Sequence, residues 1–256
     1  MLSRIIIGLL IWLLSAYPAL AAVSCSVLTQ GQDAVNATNF TTASITPGAD
    51  RLILLITAQS RNTATDCANN DITSVTGNSL TWVAVNKQCF SDAGAPTQTV
   101  EIWRSMGAAP STGTINFNVS SATQINAAWA VVECSGTDTS GTNGSGAIVQ
   151  SAINLVEPGT GLTVTLGAFG DAGNATLGAF GIADNIAITP GSGFTEIAEQ
   201  LVSDGGNDLG LQVQWRNDND TSVDASWSSI DAGGVAIEIK AAATAVDTSG
   251  DILWFY

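Results

Sequence analysis

A chain without a single histidine lacks the commonest general base, and none occurs among these 256 residues. Ser/His/Asp and Cys/His mechanisms are thereby excluded, as is every zinc site that uses imidazole. Carboxylates remain: there are 22 acidic side chains against 7 basic ones. Two of them can hydrolyse a glycosidic bond when they stand roughly 5–10 Å apart. Glu101, Glu133 and Glu238 fall inside runs that read as strands, but no Glu-x-Asp-x-Glu spacing puts two acids on one strand face. Each has apolar neighbours, the pattern of an exposed strand face opposite a buried one. Serines are abundant, yet none stands with a lysine or histidine in a recognisable motif. The sequence therefore reads as non-catalytic.

Ligand-holding residues are better represented. Asp204-Gly-Gly-Asn-Asp208 and Asn217-Asp218-Asn219-Asp220 place many hard oxygens in two loops that flank one strand. Calcium takes such ligands, so it is the one cofactor for which the sequence offers material. Neither run has EF-hand spacing, and Asp and Asn also crowd into turns for backbone reasons. Six tryptophans follow the N-terminal segment, and indole faces stack on sugar rings. Trp82, Trp103 and Trp215 are the first candidates for a glycan-binding surface, with core filling as their plain alternative. Six Asn-x-Ser/Thr sequons, at Asn36, Asn39, Asn118, Asn143, Asn174 and Asn219, are expected by chance in so Ser-, Thr- and Asn-rich a chain.

The chain's destination follows from its first residues. Arg4 precedes the apolar run Ile5–Leu14, then come Pro18 and the small-x-small pattern Ala19-Leu20-Ala21. This reads as a secretory signal peptide over residues 1–21, with the mature chain beginning near Ala22. The run is too short for a membrane span, which needs about 20 apolar residues, so none is expected after cleavage. Cys25, Cys67, Cys89 and Cys134 fit an oxidising compartment. Cys67 and Cys89 flank a strand-turn-strand stretch, which favours their pairing and leaves Cys25 for Cys134. A net charge of −15 argues against nucleic-acid partners, since phosphates are neutralised by clustered Lys and Arg.

The elements that must position these residues are strands. Short runs rich in Val, Ile, Thr, Phe and Trp are punctuated by Gly, Asn, Asp and Pro, and helical period is absent. Arg51–Ala58 (RLILLITA) is almost continuously apolar, as a strand buried on both faces would be. Ile72–Val85 reads as a hairpin around Gly77-Asn78. Further strands are expected at 39–45, 99–104, 114–119, 126–134, 162–169, 175–182, 194–201, 209–215, 223–227 and 234–240. Residues 137–160 read as the loosest interior segment, a long loop or a short edge strand. Leu-Gly-Ala-Phe-Gly occurs at 166–170 and again at 177–181, suggesting two neighbouring strands that send Phe169 and Phe180 into one core. A dozen strands without helices predict an all-β, antiparallel β-sandwich of jelly-roll type spanning 22–240 as one domain. Residues 241–256 read as a linker and a tail, Ile252-Leu253-Trp254-Phe255-Tyr256, whose exposure in water would be costly. It either folds back on its own domain or adds as a strand to a neighbouring copy.

Thr73–Trp82 (TSVTGNSLTW), Glu101-Ile-Trp-Arg104, Ala127–Gly141 (AAWAVVECSGTDTSG) and Gly234–Lys240 (GVAIEIK) together resemble uncharacterised β-sandwich proteins of bacteria and marine phages. The resemblance spans roughly Thr38 to Lys240. It implies a virion-associated or cell-surface module without known catalytic residues. The signal peptide and Cys134, at a position that is usually bulky and apolar, shift that expectation toward a secreted surface protein. The expected function is a non-catalytic adhesion or recognition module whose partner is a glycan or other cell-surface ligand. The alternative is a structural subunit of an extracellular filament or virion appendage that assembles with copies of itself through the tail, with a carbohydrate-active enzyme third.

Overall fold

The computed structural model describes residues 22–61, 71–91, 97–119, 126–204 and 207–243. The signal peptide read at 1–21 and the apolar tail Ile252–Tyr256 lie outside the described residues. The described residues form fourteen strands: β1 Ser24–Asp33, β2 Asn39–Thr41, β3 Leu52–Arg61, β4 Ile72–Gly77, β5 Val83–Ser91, β6 Thr97–Ser105, β7 Ile115–Val119, β8 Asn126–Ser135, β9 Ile148–Thr165, β10 Ala175–Ile182, β11 Thr189–Pro190, β12 Thr195–Val202, β13 Leu209–Arg216 and β14 Ser222–Ile239. All pairings are antiparallel. The chain is an antiparallel β-sandwich, but with three sheets rather than two.

The middle sheet has the order β1-β8-β3-β6-β5. Along β3 the odd residues Ile53 and Leu55 join one core, and the even residues Leu54, Ile56 and Ala58 join another. Every β3 residue from Leu52 to Ser60 is buried, which is why its sequence shows no alternation. One face is covered by a small sheet, β2-β7-β4. Between them Phe40, Phe117 and Trp129 pack with ring centroids 5.4–6.4 Å apart. The other face meets a third sheet, β11-β14-β10-β13-β12, with β9 on the outer side of β14. A third core, around Phe180 and Trp227, lies on the far face of that sheet, beneath the bent β9–β14 ribbon.

The first eight strands follow jelly-roll order, β1-β8-β3-β6 against β2-β7-β4, with one departure. The stretch read as a hairpin is not one. β4 pairs with β7 in the small sheet, whereas β5 pairs with β6 in the middle sheet. Residues 137–160 also differ from expectation, because most of them belong to β9, an 18-residue strand. Pro158, Gly159 and Gly161 disguise it. It tolerates them because it is an edge strand and its register with β14 shifts near Gly159. The runs 223–227 and 234–240 are the two ends of the single strand β14. Of the repeated Leu-Gly-Ala-Phe-Gly, only the second copy is a strand, yet Phe169 and Phe180 do reach one core. The linker read from Ala241 begins with two residues still held: Ala241 bridges Thr137, and Ala242 N donates to Gly136 O at 2.8 Å.

Cys25 faces Cys134 across β1 and β8, and the two form a disulfide at a sequence separation of 109. The bridge ties the N-terminal strand to the buried β8, as the sequence predicts. Cys89 is also disulfide-bonded, while Cys67 lies outside the described residues. Close packing recurs where the middle sheet meets the third, since a Cβ on Gly233 would stand 2.5 Å from Phe90. Replacing Cys25 and Cys134 together by serine is expected to cost about 2–4 kcal/mol, chiefly by freeing the unfolded chain. Urea unfolding of the oxidised protein measures it, and an unchanged midpoint would contradict the role given to this bridge.

Candidate functional site

The departure from jelly-roll pairing creates the most distinctive concavity. β4 and β5 leave a common turn and diverge into different sheets. Gly77, Asn78 and Ser79 have φ of 139°, 56° and 54°, and a Cβ on Gly77 would sit 2.3 Å from Thr114 O, so only glycine fits there. Asn78 Nδ2 anchors the turn by donating to Ser111 O (2.9 Å) and Gly113 O (3.1 Å). Trp82 fills the apex between the arms, buried in the core beneath the small sheet. Beyond it the arms part, and a cleft of about 290 Å³ opens between them.

The floor is β6. Glu101 and Trp103 alternate onto the same face, toward the small sheet, and Ile102 points the other way. On one side stand Asp71 and Ile72; on the other are Ala84 to Lys87. A β-bulge sets this second wall, because the β5–β6 register slips between Ala84 and Asn86. The extra residue, Val85, packs toward the opposite core, and the parity of β5 resets. Ala84 and Lys87 consequently share a face, opposite Trp103 and Glu101. Lys87 Nζ then reaches Asp71 and closes the open end of the cleft with an ion pair. Both partners remain about a third exposed, so this latch is weak and mobile.

Glu101 is the electrostatic centre, only 3% exposed. Burial raises its pKa from an ordinary 4.5 to about 7, outweighing the stabilising hydrogen bonds. Those come from Ile72 N–H to Oε2 at 3.2 Å and from Trp103 Nε1–H to Oε1 at 2.7 Å. Asp71 adds a further rise and Lys87 a reduction. Thr57 lies directly opposite Glu101 on β3, fully buried, and its hydroxyl has no hydrogen-bond partner. A carboxyl with spare lone pairs, an indole and an ammonium thus line one small cleft.

The sequence-derived candidates separate. Trp82 is buried and cannot face a ligand. Trp215 is half-buried at the border of the middle and third sheets, across the middle sheet from Trp103, so no three-indole platform exists. The acidic loops are engaged in local bonds. Asp218 and Asp220 pair with Arg216 at 2.5 and 2.6 Å. Asp204 Oδ1 accepts from Asn207 N at 2.6 Å, and Asp208 Oδ1 from Asp204 N at 3.3 Å. Among the described residues no three Asp, Glu, Cys or His side chains gather as a cation site. The glutamates expected on exposed faces are not exposed. Glu238 is fully buried, and its oxygens accept from Asn174 and Gln150 at 2.6 Å each. Glu133 is half-buried and accepts from Gly48 N at 2.6 Å. Both strands lie in sheets covered on two sides, which alternation against apolar neighbours does not reveal. A larger hollow of about 440 Å³ is lined by Glu238, Asp171 and Lys240, but each is engaged in local bonds: Glu238 with Asn174 and Gln150, Asp171 with Gly173 N, and Lys240 with Asp138 outside the hollow.

Asp71, Asn86 and Lys87 escape sequence reasoning, since neither the diverging arms nor the bulge leaves a local signature. Glu101-x-Trp103 is legible, because spacing by two on a strand means one shared face. No helix among the described residues is long and apolar enough to cross a membrane. Comparison with protein-family models, curated proteins and solved structures finds nothing that matches this chain. The described residues form a disulfide-bonded β-sandwich with an acidic cleft floored by Glu101 and Trp103.

The raised pKa makes a prediction about stability. The neutral form of Glu101 is favoured in the folded state, so its contribution is complete below pH 4.5 and is lost as pH rises through 7. Relative to Glu101→Gln, the wild type should lose on the order of 3 kcal/mol across that window. Parallel urea titrations from pH 4 to 8 test it, and parallel pH curves for the two proteins would refute the assignment.

Proposed function

We propose that this chain is a non-catalytic recognition module acting outside the cell, and that the cleft between β4 and β5 holds a sugar ring or a similar small polar ligand. One observation carries the reading: Trp103 and the deep carboxyl of Glu101 line the same cleft. Sugar sites need this combination, a flat apolar surface for the ring and strong acceptors for its hydroxyls. The motifs on which the resemblance to bacterial and phage surface proteins rests supply the cleft, Thr73–Trp82 as its arch and Glu101–Arg104 as its floor. A disulfide and the absence of a membrane-spanning helix among the described residues are compatible with an extracellular location. Screening the exported protein on a glycan array, followed by titration of the best ligand, tests this. Trp103→Ala should weaken binding at least about tenfold, the scale of a lost aromatic contact. Unchanged affinity in that variant would remove the cleft from consideration.

A second reading has its own observation. Val149, Ile153 and Leu155 are 50%, 45% and 40% exposed on β9, which pairs with β14 alone among the described strands. An open edge bearing apolar side chains suits addition of a strand, and Ile252–Tyr256 of a neighbouring copy is a candidate donor. Light scattering of the full chain and of a variant ending at Gly250 separates the two readings. Polymers that disappear with the tail would make the protein a filament subunit, and a monomer in both forms would end that reading.

A further inference from the structure

We infer that the cleft selects ligands bearing a protonated amine, an amino sugar being the class that also satisfies Trp103; this rests on the reading of the cleft as a sugar site. The argument starts from what already occupies its mouth. Two carboxyl groups, Glu101 and Asp71, face a single ammonium, that of Lys87. Lys87 binds Asp71 and interacts electrostatically with Glu101, so its Nζ marks a position where a cation is favourable. Its side chain is 39% exposed and flexible, and it can swing into solvent at little cost when another cation takes that place. A ligand ammonium there would gain charge-assisted hydrogen bonds to Asp71 and to the free lone pairs of Glu101. Thr57, fully buried opposite Glu101 on β3, is not part of the cleft lining and adds no charge to oppose the cation. The indole of Trp103 offers its ring to a sugar or a cation alike. Beyond the cleft, the net charge of −15 attracts cations and repels anionic glycans at long range.

The charged groups that face Glu101 are Asp71 ahead of β4 and Lys87 on β5, while β3 presents only Thr57. An incoming ammonium favours ionised Glu101. With the free carboxyl titrating at about 7, amine binding must strengthen as pH rises through that value and expel a proton below it.

Methyl 6-amino-6-deoxyglucoside and methyl glucoside form the test pair, one ring with and without an amine that stays protonated from pH 5.5 to 8. NMR titration, followed at the Trp103 indole N–H, reads both. At pH 8 the amine should bind about tenfold tighter or better, the scale of one charge-assisted hydrogen bond. That advantage should shrink several-fold at pH 5.5, and Lys87→Ala should enlarge it by removing the resident cation. Glu101→Gln should hold the advantage near its wild-type pH 5.5 level at pH 8 as well and remove its pH dependence; if that variant does not fold, the wild-type pH profile and Lys87→Ala carry the test. Equal affinities for the two ligands at pH 8 would overturn the inference and leave the sugar reading standing. A Trp103 signal that responds to neither ligand would overturn both.

Discussion

The structure depends on two adjacent strands, β3 and β8, being dry on both sides. From Leu52 to Ser60 every β3 residue is buried, and β8 runs beside it with seven consecutive buried residues from Asn126. Each fully buried aliphatic side chain in such a strand contributes roughly 1.5–3 kcal/mol, but only if something covers it. The middle sheet therefore requires two further sheets. The small one supplies Phe40 and Phe117, and the large one supplies Leu177, Val213 and Val235. The large sheet then has an outer face of its own, which the bent β9–β14 ribbon covers in turn. The layers follow from the need to cover β3 and β8, and the disulfide at Cys25 pins the edge strand of that same sheet.

Covering the middle sheet is incomplete at one corner, and the cleft is that corner. A small sheet of three strands shields β8 and β3, but where a fourth would shield β6, the strand that could do so has joined the middle sheet instead. The face of β6 bearing Glu101 and Trp103 is left with only the flank of β4 above it. The Val85 bulge then decides what lines the gap. Without it, β5 would turn Lys87 away from the face that Ala84 shares with Trp103. One extra residue thus keeps Lys87 off the face that packs on the third sheet and sets it beside a buried carboxyl.

Much of the architecture is legible in the residues and part of the site is. β3 announces double burial through its unbroken apolar run, and Cys25 with Cys134 foretells the bridge. β10 is found at its true limits, since Gly173-Asn174 before it and Asp184-Asn185 after it are turn formers. Of β9 only the end near 162 is read as a strand and the rest as a long loop or short edge strand, because proline and glycine are read as loop signals, although an edge strand tolerates both. The arch between β4 and β5 is misread as a hairpin for a different reason. A Gly-Asn turn fixes only local φ, and which neighbour each arm pairs with is settled by distant partners, β7 and β6. For the site, Trp103 and Glu101 share a strand face by spacing alone. Asp71 and Lys87 join them only through tertiary register, which no local pattern encodes.

A buried carboxyl is weak evidence for stability, because desolvation often exceeds what its partners return. Glu101 illustrates the imbalance: two hydrogen bonds and a nearby ammonium still leave its pKa near 7. Glu238 also lines a hollow yet is differently housed, with an amide on each oxygen in a bracket that joins β9, β14 and Asn174. One carboxyl thus serves as a structural clamp. The other sits at the floor of an open cleft, beside an indole and under an ion pair that solvent can reach. A group kept in a costly environment with one side accessible is poised to gain from whatever enters, since any donor or cation that arrives reduces a penalty already present in the folded chain. Binding energy at such a site comes partly from relieving that penalty, which the clamped Glu238 does not offer.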